Sequence, residues 1–148
     1  MSLTDVMTQS FVRSLELYDD LMLELPESAL AMRLPGIRSN PLGSQVWCVV
    51  GARETCVRAI AEGRWTPFAC SLDKTESRSG VGLREALRKS GQSVVEVLAD
   101  LPSFDDQRSR MVVDLLEHEA GHRGQLIRYL FALHLRIPAH WRAHYALD

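Results

Sequence analysis

The sequence predicts an all-α protein, specifically a four-helix bundle, on three observations. Its apolar residues recur at three and four positions, and no stretch shows the two-residue alternation of a strand. Four of these periodic stretches are long enough to be full helices, and three connections rich in Pro, Gly and polar residues separate them. The last stretch carries His118 and His122, a pair at helical spacing, and bundles build metal sites from inward side chains of facing helices.

The first helix is expected over residues 3 to 25, where Met7, Phe11, Leu15, Tyr18, Met22 and Leu25 form one stripe. Ser2 or Thr4 can cap its start, and Pro26 closes it. Residues 26 to 41 form a connection whose Pro35-Gly36 and Asn40-Pro41 pairs read as turns. The second helix is expected from about Leu42 to Ala61. Its first half, Val46-Trp47-Cys48-Val49-Val50, is apolar nearly all round, as suits a segment inside a bundle. Arg53, Glu54 and Arg58 then place charge on one side, opposite Gln45, Cys48, Ala52, Cys56 and Ala59. Residues 62 to 79 form a long link in which Trp65 and Phe68 are expected to cover an end of the core.

A third helix is expected over residues 81 to 101, with Leu83, Leu87, Val94, Leu98 and Leu101 on one stripe, and Pro102 beyond it. The fourth runs over about residues 107 to 135. On it His118 and His122 share a face with Met111, Leu115, Leu126, Tyr129 and Leu133, so both imidazoles should point towards the core. Asp114, Glu117, Gln125 and Arg128 read as the opposite, solvated face. A polar group left unpartnered in a core costs about 1–3 kcal/mol, so the pair calls for a partner. A divalent ion is one, because two ring nitrogens four residues apart can reach a single ion. A carbonyl or carboxylate from a neighbouring helix is the other. Residues 138 to 145 are expected to add one or two turns, with His140 and His144 at a surface or interface.

Composition narrows the function classes. A chain of 148 residues without internal repeat reads as one domain, with a hydrophobic content of 46% and a charged content of 24% typical of globular proteins. A net charge of −2 gives no reason to expect nucleic acid as a partner. No stretch approaches 18 apolar residues and no basic start precedes an apolar run, so neither membrane nor secretion is expected. Cys48, Cys56 and Cys70 are odd in number and lack CxxC spacing, which fits reduced thiols and a cytoplasmic location. Beyond Glu119 stand four arginines and a single acid, Asp148, so this end is locally basic. Within it Arg123 is a candidate to hold an anionic substrate, or else one half of a surface ion pair.

The run Leu42-Gly-x-x-x-x-Cys48-x-x-Gly51-Ala-Arg-Glu54, followed downstream by His118-Glu-Ala-Gly-His122-Arg-Gly-Gln125-Leu126, resembles the DinB-like (YfiT-like) superfamily over nearly the whole chain. That resemblance implies a four-helix bundle, often homodimeric, holding a divalent metal on three histidines. One of these comes from the second helix and an HxxxH pair comes from the fourth. His118 and His122 match the pair, whereas the second-helix position is Cys48. Characterised relatives include thiol-dependent S-transferases and a maleylpyruvate isomerase, so a small-molecule substrate is implied.

Two readings of Cys48 follow. A thiolate is a good ligand for zinc, and nickel also suits such a set, so Cys48, His118 and His122 would leave one position open for chemistry. Alternatively Cys48 is a small buried hydrophobe, the metal site has decayed, and the chain is a non-catalytic dimeric binding or stress-associated protein. His118-Glu119-Ala-Gly-His122 also satisfies the HExxH signature of zinc proteases. Against that reading, no glutamate follows Glu119, and Gly124 stands one place short of the extended HExxHxxGxxH form. Glu119 itself, 100° round the helix from His118, is a candidate general base or an acceptor for a ligand's second ring nitrogen.

Overall fold

Three of the four long helices begin on a side-chain oxygen that takes up an orphan backbone amide. The computed structural model describes residues 1–148. In it α1 spans Leu3–Glu24 and opens on a capping box: Ser2 Oγ accepts from the Asp5 amide, and the Asp5 carboxylate accepts from the Ser2 amide. A 3-10 turn, Glu27–Ala31, follows. Helix α2, Leu42–Glu62, starts behind Pro41 and ends at Gly63, whose φ of 70° lets Arg64 N–H reach back to the Ala59 carbonyl at 3.2 Å. After a second 3-10 turn, Lys74–Arg78, helix α3 runs over Gly80–Leu98 from an N-cap at Ser79.

Asp105 caps α4, Asp106–Ala132, which His134 terminates in the left-handed region at φ 53°. Leu135 N–H then returns to the Leu130 carbonyl at 2.9 Å, the same closing bond as at Gly63. The short α5, Ala139–Tyr145, completes the chain. The structure is thus all-helical, as the periodicity predicts. It adds three 3-10 turns that propensity alone did not flag, the last at Leu101–Ser103, and α3 stops at Leu98, three residues before its expected end at Leu101. No helix is long and apolar enough to cross a membrane.

Helix α2 is central, packing against α3 on one side and α4 on the other, while α1 packs on α3 and α5 lies on α1. The apolar side chains divide into two clusters. One holds Leu17, Leu21, Val46, Val50, Leu87, Leu126 and Trp141 among its sixteen buried residues. The other, of ten, gathers around Phe11, Cys56, Val94, Met111 and Leu115. Between them runs a layer of buried polar residues. Phe11 and Leu17 on α1 flank Ser14; Val50 and Cys56 on α2 flank Arg53; Leu87 and Val94 on α3 flank Ser90; Leu115 and Leu126 on α4 flank Glu119 and Arg123.

Arg53 and Glu119, 1% and 0% exposed, hold this layer together. Arg53 Nε donates to Glu119 Oε1 at 2.5 Å and Nη2 to Oε2 at 3.3 Å, a fork-to-fork pairing. Nη1 donates to the Leu87 carbonyl of α3 at 3.2 Å. Ser14 Oγ donates to Glu119 Oε2 and accepts from Arg123 Nη1, and Arg123 Nε donates to Tyr145 OH at 2.5 Å. The Tyr18 ring lies beneath both guanidinium groups, at 5.4 Å and 5.9 Å, and its hydroxyl donates to the Glu119 carbonyl at 2.9 Å.

Removing one member of such a pair strands a buried charge. Arg53→Ala or Glu119→Ala is therefore expected to lose about 3–5 kcal/mol of stability in urea unfolding. The double variant Arg53→Met/Glu119→Leu should lose clearly less than the sum of the corresponding single variants. Strict additivity would show that the two side chains are not energetically coupled.

Candidate metal centre

His118 and His122 stand one turn apart on α4 with ring centroids 4.6 Å apart, and Cys48 faces them from α2. Cys48 Sγ lies 3.7 Å from His118 Nε2. One donor atom from each of the three residues falls within 4.8 Å of the other two. Tetrahedral zinc with ordinary bond lengths separates a thiolate sulfur and an imidazole nitrogen by about 3.6 Å, and two imidazole nitrogens by about 3.4 Å. The Cys48–His118 pair already has that spacing. The widest pair needs to close by at most about 1.4 Å, a side-chain adjustment. The donor set fits a divalent ion.

Gln45 orients the second imidazole. Its Oε1 lies 2.7 Å from His122 Nδ1, an arrangement in which the ring donates through Nδ1 and keeps its Nε2 lone pair for a ligand. Gln45 occupies the start of α2, one turn before Cys48, and only 8% of it is exposed. The sequence put Gln45 on the Cys48 face without assigning it this task.

Burial sets the protonation states. It pushes the Cys48 thiol up, against the pull of the Lys74 cation, so the thiol keeps its proton until an ion displaces it. Burial also lowers His118, with the Glu119 charge opposing. His122 falls to about 4, through burial first and the neighbouring His118 second. Both imidazoles are consequently neutral at pH 7, the form that binds metal.

Not all the candidate residues meet here. Glu119 is turned into the core, where Arg53 and Ser14 occupy both of its carboxylate oxygens, so it is a framework anion with no free lone pair pointing at the three donors. Arg123 is no surface ion pair: it is 9% exposed and bonded to Ser14 and Tyr145, on the α1 and α5 side of α4. The buried face of α4 is centred on Glu119, Arg123, Leu126 and Leu130, which leaves His118 and His122 half-buried at its edge rather than pointing into the core. Asp114 also departs from expectation. Four residues advance a helix by about 400°, so it lies about 40° from His118 and shares its side of α4. His140 and His144 are exposed, as expected of a surface pair, and His140 meets Asp20 of α1.

Beside His118 opens a cleft of about 220 Å³, walled by Thr55, Trp65, Phe68, Asp114 and Leu115. Its upper wall is the 64–73 segment, which is fastened to α2. Trp47 Nε1 donates to the Leu72 carbonyl at 2.7 Å, the Ser71 amide to Glu54 Oε2 at 2.7 Å, and the Ala69 amide to Thr55 Oγ1 at 3.2 Å. Gly51 makes room for the Phe68 ring, since a Cβ there would fall 2.2 Å from Phe68 Cζ. Trp65 and Phe68, each 47% exposed, thus cover the metal side of the helix pair rather than closing an end of the core. In the same segment Thr66 Oγ1 is buried without a hydrogen-bond partner. A larger cavity of about 490 Å³ near Val57, Phe104 and Arg108 offers no donor set, its guanidinium being bound to the Ile60 carbonyl and Asp105.

Compared with known proteins, the chain matches no family model, no curated protein and no solved structure.

The histidines make stability depend on pH. Because the folded state holds His122 at about 4 while the unfolded chain titrates near 6.5, the unfolded state binds more protons between these values. Stability of the metal-free protein should fall as pH drops from 6.5 towards 5, above the carboxylate range, with His118 adding in the same direction. His122→Gln should flatten that slope in urea titrations. An unchanged slope would mean that His122 is protonated equally in both states.

Proposed function

We propose that the chain is a metal-dependent enzyme of the DinB-like (YfiT-like) kind, a four-helix bundle acting on a small substrate by transfer or hydrolysis. One divalent ion, zinc or nickel, is held by Cys48, His118 and His122 between α2 and α4. The observation that carries this reading is the convergence of three donor atoms from two helices within 4.8 Å of one another. A thiol and two neutral imidazoles suit these soft and borderline ions and not magnesium or calcium, which take oxygen donors. Such an ion, when bound, polarises a substrate atom and acidifies a water or thiol.

The chain's own groups supply the rest. Gln45 holds the His122 ring in the tautomer that leaves Nε2 free, and Lys74 favours the Cys48 thiolate. Trp65 and Phe68 shield the site from bulk water, which strengthens every charge interaction inside it. Glu119 and Arg123 act at a distance, by fixing α4 against α1 and α2, and neither lines the cleft.

Calorimetric titration with zinc and nickel tests the site. Wild-type protein should bind one ion per chain, and His118→Ala, His122→Ala and Cys48→Ala should each lose stoichiometric binding. The loss should also remove the metal-dependent rise in melting temperature, since the ion binds the folded state alone. Cys48→His should keep the site. Equal, weak affinities in wild type and Cys48→Ala would end the claim that Cys48 is a ligand and favour the decayed, non-catalytic reading.

The same family reading carries a homodimer. Of the apolar residues on the outer faces of α2 and α4, Trp47, Leu116 and Ile127 are largely taken up by packing within the chain. Phe131 stays 49% exposed and lines a groove with Leu34, Pro35 and Ile37, the last 66% exposed. This patch suits a self-complementary contact. Light scattering should give twice 16.7 kDa. A mass of 16.7 kDa at tens of micromolar would refute the dimer.

A further inference from the structure

We propose that the cleft beside His118 binds a small organic ammonium ion, selected by the Asp114 carboxylate and the rings of Trp65 and Phe68. As the ligand class of the proposed active site this rests on the metal-enzyme reading, although the binding itself needs no metal.

The lining of the cleft holds a single acidic side chain, Asp114, beside the apolar Ala52 and Leu115 and the hydroxyl of Thr55. No lysine or arginine lines it. Asp114 joins none of the ion pairs or side-chain hydrogen bonds of the chain, so its charge has no counterion from the protein. Arg58 of α2 does not line the cleft; its Nη2 stands behind the Thr55 wall, donating to Thr55 Oγ1 at 3.0 Å and to the Ala69 carbonyl at 2.9 Å.

Two aromatic rings line the same cleft, each 47% exposed and carried by the anchored segment. Aromatic faces attract cations, and rings combined with a carboxylate are the usual chemistry for gripping alkylammonium groups. A volume of about 220 Å³ admits a head group with a few carbons and is too small for a drug-sized molecule. Orientation follows as well. An ammonium nitrogen has no lone pair to offer a metal, so the cation takes the Asp114 end and a neutral or anionic group of the ligand faces His118.

Choline and its uncharged isostere 3,3-dimethyl-1-butanol separate charge from shape. Titrated into full-length metal-free protein and followed by tryptophan fluorescence and calorimetry, choline should bind about tenfold more tightly than the alcohol. Asp114→Asn should abolish that preference, and Trp65→Ala should weaken choline binding while leaving the protein folded, since the ring is half exposed. Zinc titrated into Asp114→Asn should bind as in wild type, which shows the carboxylate to act on the organic ligand and not on the ion. Equal affinities for the two probes, no binding of either, or an intact preference in Asp114→Asn would overturn the proposal. Because the choline titration contains no metal, failure of the zinc titration would sink the metal reading and leave the ammonium result standing.

Discussion

The buried pairing of Arg53 with Glu119 is the constraint from which the rest of the arrangement follows. Two ions inside a protein are tolerable only with close geometry and with their remaining hydrogen-bonding capacity filled. Here every long helix contributes to that requirement. Helix α1 offers Ser14 and Tyr18, α2 the guanidinium, α3 the Leu87 carbonyl and α4 the carboxylate, while Arg123 passes the network on to Tyr145 of α5. Sliding α2 or α4 by one turn would part the two charges, and sliding α1 or α3 would take away hydrogen-bond partners that the buried pair uses. Apolar packing tolerates such slippage far better than this layer does, so the polar layer sets the register and the two apolar clusters supply the bulk of the driving force.

That register also places the candidate metal donors. His118 immediately precedes Glu119 and His122 immediately precedes Arg123, so each ligand on α4 is the neighbour of a residue locked into the layer. On α2, Cys48 lies five residues before Arg53, which brings it to the same level on the α4 side. The donors thus sit at the rim of the core, with His118 opening on the cleft, instead of at its centre. Half-burial is what a working site needs: enough to keep the imidazoles neutral, not enough to seal them from a ligand.

How much of this was legible in the sequence depended on whether a residue's partner was near in the chain. Helices and caps are local, and their predicted limits hold to within a few residues. The His118–His122 pair is local too, and its link to Cys48 came from a resemblance and not from periodicity. Arg53 was read as part of the charged side of α2 and Glu119 as a candidate base, because each was taken alone; only the fold shows that they neutralise each other across 66 positions of chain. A signal did exist. Arg53 stands three or four residues from Val49, Val50 and Cys56, all buried, so it lies on the apolar stripe of α2 itself. The same misreading shifted the inferred core face of α4 towards the histidines and hid Asp114, which plain helical geometry places beside His118.

The cleft beside His118 is walled by residues of both α2 and α4. Its aromatic wall is stitched to α2 through Trp47, Glu54 and Thr55, while Asp114, Leu115 and His118 belong to α4. The three metal donors are split across the same two helices, Cys48 on one and the histidines on the other. A single distance, that between α2 and α4, therefore governs both the aperture seen by an organic guest and the bite of the donor cage. An ion among the donors and a guest in the cleft would thus act on the same pair of helices.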